Sequence, residues 1–190
     1  MAQVKQKQKV ADNTYVVKIS APDIAKRLHA GQYVSLQIRK DTPKFATFAS
    51  LCDKESLSVI VGQDSRLLPL LDIKKGESLH SICGPLGKPF AMNEYGNVVI
   101  VADEHHVGPA FYFGRQFKQA GNRVYLIAQY PNKKSRFWES RLHDSFDKWY
   151  LLNKRDEQHE PIVKELNNLL RKKSIKLTIG LCNVTLSSQL

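Results

Sequence analysis

The run Val98-Val99-Ile100-Val101-Ala102 constrains this chain more than any other feature. An unbroken apolar, mostly β-branched run has no face to offer water. It predicts a strand of a parallel sheet, covered on both sides. A helix is predicted next, with Pro109 in its first turn and Gly121 just past its end. Ala110, Phe111, Gly114 and Phe117 fall on one face of it. Val124 to Ala128 reads as the second strand, Ser135 to Leu142 as a helix, and Lys148 to Leu152 as the third strand. Pro161 opens a further helix with Ile162, Val163, Leu166, Leu169 and Leu170 inward. Glu157 and Glu160 precede it and Arg171 to Lys173 close it, as the helix dipole favours. Ile175 to Leu181 is the fourth strand. The order β-α-β-α-β-α-β implies right-handed crossovers and a parallel sheet.

Before Tyr95 the rhythm differs. Thr14 to Ile19 is β-branched and aromatic. Pro22 to Leu28 suits a turn or short helix. From Gln32 to Ile38, Val34, Leu36 and Ile38 alternate with Tyr33, Ser35 and Gln37, a period of two. Phe45 to Leu51 and Leu57 to Val61 read as short strands. Leu67 to Leu71 is an apolar patch around Pro69. Glu77 to Cys83 reads as a strand closed by the turn Gly84-Pro85-Leu86-Gly87. Short strands parted by turn residues predict a small antiparallel barrel. The fold class is therefore a β-barrel, residues 1–94, followed by a Rossmann-like α/β domain, residues 95–190.

Apolar residues make up 42% of the chain, enough for a core. No run is long enough to span a bilayer, and Met1 to Val10 is polar, without the apolar stretch of a signal peptide. A cytoplasmic location is the expectation. Cys52, Cys83 and Cys182 are scattered without a CxxC pair, so no zinc or iron–sulfur site is written locally. The net charge of +11 admits an anionic partner, nucleic acid included. The cations are spread along the sequence, which favours a solvated basic surface.

Several motifs resemble the ferredoxin–NADP reductase superfamily. Ala30-Gly31-Gln32-Tyr33-Val34 is similar to its PGQ-aromatic-V strand. Leu67 to Leu71, Lys75-Gly76-Glu77-Ser78-Leu79 and Gly84-Pro85-Leu86-Gly87-Lys88-Pro89-Phe90 are similar to the electron-transfer subunit of dihydroorotate dehydrogenase. The same stretch resembles the small subunits of NADH-dependent ferredoxin–NADP oxidoreductases. The likeness runs from about Lys9 to about Ala128. It implies a barrel that binds FAD, an α/β half that binds NAD(P)H, and a cysteine-rich C-terminal segment that carries a two-iron cluster.

Position by position, the family's flavin strand, Arg-x-Pro-Leu-Ser/Thr, falls on Ala46-Thr47-Phe48-Ala49-Ser50. Ser50 matches, and Ala46 stands where the phosphate-binding arginine would be. Lys44 or Arg66 could supply a replacement charge, as a point or a fork respectively. The family's Gly-Lys-Gly-Thr turn falls on Gly62-Gln63-Asp64-Ser65, where Gly62 and Ser65 match. Gly84 belongs to the GPLG turn, for which flavin binding and a tight structural connection are both open readings. The family's glycine-rich nucleotide loop falls on Ala102-Asp103-Glu104-His105-His106-Val107-Gly108-Pro109. Glycines there let the backbone approach a pyrophosphate. Asp103 and Glu104 would stabilise a helix N-terminus and repel phosphate. The imidazoles of His105 and His106 read as surface or capping groups rather than metal ligands.

The resemblance, with these departures, implies a degenerate member shortened at its C-terminus. FAD binding stays open, NAD(P) binding is not expected, and no iron–sulfur segment follows Leu181, after which nine residues remain. The expected role is an accessory, docking or scaffold subunit of an oxidoreductase complex, whose partners are the other subunits. An FAD-binding electron-transfer protein and a basic nucleic-acid-binding protein are the alternatives. Whether the isolated chain is an enzyme is left open.

Overall fold

The structure, a computed structural model, describes residues 2–62, 65–153 and 160–181. The chain divides into two compact units, Met1–Ala91 and Met92–Leu190.

The first unit is antiparallel β. Strands β1 (Gln3–Ala11), β2 (Thr14–Ser20), β5 (Leu51–Cys52) and β6 (Ser56–Val61) form a sheet in the order β1-β2-β6-β5. Strands β3 (Tyr33–Gln37), β4 (Lys44–Thr47) and β7 (Ser81–Leu86) form a second, in the order β4-β3-β7. A single helical turn, α1 (Pro22–Ala25), follows β2. Both sheets turn alternate apolar residues onto one core, with Val4, Val17, Ile19, Val34, Leu36, Leu57, Val59, Val61 and Leu70 fully buried. That is the predicted barrel-like half.

Three details differ from the sequence reading. Polar Met1 to Val10 contributes a strand: Lys5 to Lys9 are exposed, so ladder hydrogen bonds rather than burial hold that part of β1. Opposite buried Val17, Lys7 points over the core side and donates from Nζ to the Leu71 carbonyl at 2.7 Å. An inward lysine of this kind keeps an edge strand from pairing with another chain. The predicted strand Phe45 to Leu51 is broken into β4 and β5. The predicted strand Glu77 to Cys83 begins at Ser81 and runs through Gly84 and Pro85. Tyr33 faces Leu86 and Ser35 faces Cys83, so Gly84 and Pro85 together oppose Val34 as a bulge. Proline is tolerated because β7 is an edge strand. Glycine is required because a Cβ on Gly84 would meet Val34 Cγ1 at 2.9 Å.

The second unit is a parallel sheet of β8 (Asn97–Asp103), β9 (Arg123–Tyr130), β10 (Lys148–Asn153) and β11 (Ile175–Leu181), in the order β10-β9-β8-β11. Helix α2 (Val107–Gln119) buries Ala110, Phe111, Gly114 and Phe117, as the spacing predicts. Helix α4 (Glu160–Lys172) buries Ile162, Leu166 and Leu169 against Val99, Val101, Tyr125 and Ile127. Leu170 is instead 45% exposed, because the buried stripe ends one residue before it. Glu157 lies outside the described residues.

The predicted helix Ser135 to Leu142 is replaced by two single 3₁₀ turns, Lys133–Ser135 and Glu139–Arg141, and the short helix α3 (Leu142–Ser145). Trp138 between them has a positive φ of 58°. Its ring lies 5.1 Å from Phe111 and 5.4 Å from Phe137, edge to face. Aromatic packing therefore overrides local helix propensity.

One polar anchor holds the entry to this sheet. Asn122 is buried, and its Oδ1 accepts from the N–H groups of Tyr95 (2.6 Å) and Gly96 (3.0 Å). Its Nδ2 donates to the carbonyls of Asn93 (2.9 Å) and Phe117 (3.0 Å). No hydrogen-bonding capacity of the carboxamide is wasted.

Candidate functional site

In an open α/β sheet, ligands gather at the carboxyl ends of the strands. Asp103 is the last residue of β8, and residues 104 to 106 turn into α2, whose N-cap is His106. Asp103 Oδ1 accepts from the backbone N–H groups of His105 (3.0 Å) and His106 (3.1 Å). His106 Nδ1 lies 2.6 Å from the same oxygen. With a carboxylate as acceptor, that ring nitrogen carries the proton. His105 Nε2 is 3.5 Å from Glu104 Oε1.

The acidic pair is thus placed differently from the expectation. Neither Asp103 nor Glu104 lies in the first turn of α2, and no side chain caps the helix. Asp103 acts one step earlier, on the connecting turn. Its carboxylate occupies donors that a glycine loop would leave for a phosphate. Among the described residues, no three His, Cys, Asp or Glu side chains are grouped to hold a metal ion.

At the end of β9, Tyr130 is fully buried, edge-on to Phe137 at 6.1 Å. Burial foremost, then the Glu139 carboxylate, push its phenol above the ordinary tyrosine range, against a smaller opposite pull from Arg136. It stays protonated, and the sequence reading had singled out nothing there.

In the barrel unit, Lys44 and Ala46 are exposed and two apart on β4, hence on one face of the strand. Ser50 donates its N–H to the Ser58 carbonyl at 2.8 Å, which ties it to β6. Its side chain is fully buried, and Oγ has no hydrogen-bond partner among the described residues. Gly62 and Ser65 close one turn through Ser65 N–H to Gly62 O (3.1 Å), and Ser65 Oγ accepts from Leu67 N–H (3.1 Å). Arg66 follows, exposed. Gln63 and Asp64 lie outside the described residues, as does Cys182.

The motifs that carry the family resemblance lie against each other. Gln32 Nε2 donates to Gly87 O at 3.1 Å, and Phe90 N–H donates to Ala30 O at 2.8 Å. Gly31 has φ of +89°, and a Cβ on it would stand 2.9 Å from Phe90 N. The Ala30–Val34 and Gly84–Phe90 segments are one structural lock. Gly84 has a packing reason to be glycine whatever it binds. The sequence could not show this, because the two segments are more than fifty residues apart.

This is the architecture of the ferredoxin–NADP reductase type: an antiparallel barrel, then a Rossmann-like sheet. Among solved structures, the chain superposes on one from the NADH-dependent reduced ferredoxin-NADP oxidoreductase, studied for flavin-based electron bifurcation. That match has a TM-score of 0.82 at 18% identity, over 95% of this chain and 67% of the other. Phthalate dioxygenase reductase matches with a TM-score of 0.77 at 12% identity, over 99% and 61%. No family model matches the sequence. In sequence, the chain resembles the Thermotoga maritima protein named dihydroorotate dehydrogenase B (NAD(+)), electron transfer subunit homolog. The two are 26% identical over 130 residues. The match takes in 66% of this chain and 45% of the curated relative, so less than half of the relative's length is represented. No helix among the described residues is long and apolar enough to cross a membrane.

Proposed function

We propose that this chain is an accessory subunit of an oxidoreductase assembly, built on an electron-transfer fold whose α/β unit does not take up NAD(P)H. The observation that carries this reading is the Asp103 carboxylate. It already accepts from His105 N–H, His106 N–H and the His106 ring. A pyrophosphate entering there would meet a like charge and donors that are already engaged. Calorimetric titration of the purified chain with NADH and with NADPH tests it. No binding up to millimolar nucleotide is the expected result, and micromolar affinity for either overturns the reading. The accessory role further predicts that the chain co-purifies with other oxidoreductase subunits from its native source.

A second reading, an FAD-binding electron-transfer protein, is favoured by one observation. Ser50 Oγ is a buried hydroxyl without a partner among the described residues, inside the stretch that resembles the flavin strand. A buried hydroxyl left unpaired costs about 1–3 kcal/mol, and a ligand atom would recover it. Ser50, Gly62, Ser65 and Gly84 would line that site, and Lys44 or Arg66 would face the diphosphate in place of the arginine that Ala46 lacks. When bound, FAD would supply one- and two-electron redox chemistry. The visible spectrum after soaking with excess FAD and desalting decides between the readings. A retained flavin band establishes the second, and its absence leaves the first alone.

A further inference from the structure

The cations of this chain are spread along the sequence, but the second unit gathers several of them at one end. Arg123 and Lys148 open strands β9 and β10, and Lys176 is the second residue of β11. Arg171 and Lys172 end α4, and Lys173 follows in the turn to β11. In a parallel sheet with helical crossovers, strand starts and helix ends share one side. The contacts bear this out. Asn97 at the start of β8 is paired in register with both Arg123 and Ile175, and its Nδ2 donates to Ser174 O at 3.2 Å. The turn of Lys173 and the start of β9 therefore flank one residue. With strands about 4.8 Å apart, the row across the sheet is on the order of 15 Å wide.

These side chains are exposed, and none makes an ion pair among the described residues. Lys118 at the same end is different, since it is already engaged by Asp147 at 3.6 Å and by the His143 carbonyl at 3.1 Å. Of the anions on this side, Asp147 is so used, Asp144 lies 3.0 Å from His143 and 3.8 Å from Arg141, and Glu94 stands beside Gly121. Helix-dipole capping accounts for Arg171, Lys172 and Lys173, and Lys148 Nζ lies over the Tyr150 ring at 5.3 Å. Neither gives a reason for these cations to gather with Arg123 and Lys176 at one end, where like charges repel and lower stability.

We infer that the amino-terminal end of the parallel sheet, centred on Arg123, Lys148, Lys173 and Lys176, is a docking surface for an acidic protein face. Two large apolar side chains are exposed at the same end: Leu170, 45% exposed beside Arg171, and Trp149, 38% exposed on the face of β10 opposite to that of Lys148. An exposed tryptophan at an arginine-bearing end fits a protein interface, where Trp and Arg are enriched over the rest of the surface. Phosphate-backbone binding needs the charge and has no use for the leucine. The surface lies at the opposite end of the strands from Asp103. The inference rests on the subunit reading for the partner being a protein, but it is tested independently of nucleotide and flavin.

Fluorescence anisotropy of a labelled peptide of glutamates interrupted by phenylalanines tests it on the full chain, against a single-stranded oligonucleotide of equal charge. The peptide is expected to bind more tightly than the oligonucleotide, with affinity falling as salt rises. The double variant Arg171→Glu/Lys173→Glu weakens peptide binding roughly tenfold or more, and Trp149→Ala weakens it by a smaller factor. Lys5→Glu/Lys9→Glu, the same charge change on β1 of the other unit, leaves it within about twofold. Equal losses in the two double variants would mean that net charge alone acts, and would overturn the surface. Tighter binding of the oligonucleotide would overturn the protein partner in favour of nucleic acid. Circular dichroism of each variant confirms that the comparison is between folded chains.

Discussion

Asp103 and Ser50 stand in two of the segments where the sequence resembles ligand-binding segments, and the fold treats them oppositely. The Asp103 carboxylate has three nitrogen neighbours within 3.1 Å, all supplied by its own turn. The Ser50 hydroxyl is fully buried, with no partner among the described residues. A polar group whose hydrogen bonds are complete gains nothing from a ligand and resists displacement. One whose bonds are missing is a standing cost that a ligand could relieve. Resemblance in sequence ranks the two segments alike, as altered versions of one family's loops. Hydrogen-bond accounting separates them, and on the proposed reading the α/β loop excludes an anion while the barrel stretch could receive a ligand.

The contrast can be calibrated and broken by substitution, read as the shift of the denaturant midpoint at constant slope. Asn122 sets the upper end of the scale. Asn122→Leu takes the carboxamide away from the N–H groups of Tyr95 and Gly96 and from the Asn93 carbonyl, while the Phe117 carbonyl keeps the N–H groups of Ala120 and residue 122, and is expected to cost about 3–5 kcal/mol. A loss under about 1 kcal/mol would show that water replaces those bonds and that the accounting fails in this unit. Asp103→Ala frees the His105 amide and leaves the His106 amide only its bond to the Asp103 carbonyl at 3.0 Å, nearer to solvent, and is expected to cost about 1–2 kcal/mol. Anion affinity should rise with it: sulfate should protect the variant against unfolding more than it protects the unsubstituted chain. If sulfate protects both equally, the carboxylate is not what excludes anions.

Ser50→Ala is expected to have the opposite sign, stabilising the flavin-free chain by about 1 kcal/mol, because it removes a buried hydroxyl that nothing satisfies. A loss of stability instead would reveal a partner for Ser50. A loss only in the presence of FAD would identify that partner as the flavin.

The smallest effect belongs to Asp53, a carboxylate as fully bonded as Asp103 but exposed. Burial raises its pKa, but Lys18, the Glu55 N–H and the hydroxyl and N–H of Ser56 outweigh this and hold it well below the ordinary carboxylate range. A carboxyl depressed in the folded state stabilises above its unfolded value, near 3.8, and that contribution fades as pH falls toward the folded value. After screening by water the contribution is about 0.5 kcal/mol or less. Asp53→Asn should therefore flatten the fall in melting temperature below about pH 4 only slightly. A large flattening would place Asp53 among the buried, structure-bearing groups with Asn122.

Much of the architecture was legible in the residues themselves. Five consecutive apolar residues at Val98 to Ala102 are a buried parallel strand, and alternation at Val34, Leu36 and Ile38 is a half-buried antiparallel one. Proline and glycine bracketed α2 correctly. Where the reading went astray, a distant partner decided the local conformation. Trp138 takes a left-handed conformation and interrupts a predicted helix because Phe111 and Phe137 receive its ring. Gly84 and Pro85 extend a strand instead of ending it because Val34 faces them both. The polar strand β1 carries no apolar alternation through Lys5 to Lys9, since backbone pairing with β2 holds it.

Hydrophobic period and turn chemistry are properties of neighbouring residues, and so the sequence by itself determined the two-part plan, the direction of each sheet and the substituted loop at Ala102 to Pro109. Hydrogen-bond partners and charge density are properties of residues that only folding makes neighbours. The tertiary structure alone decided that the Asp103 carboxylate is spent on its own turn, that Ser50 lacks a partner among the described residues, and that cations far apart in the sequence stand together where the parallel strands begin.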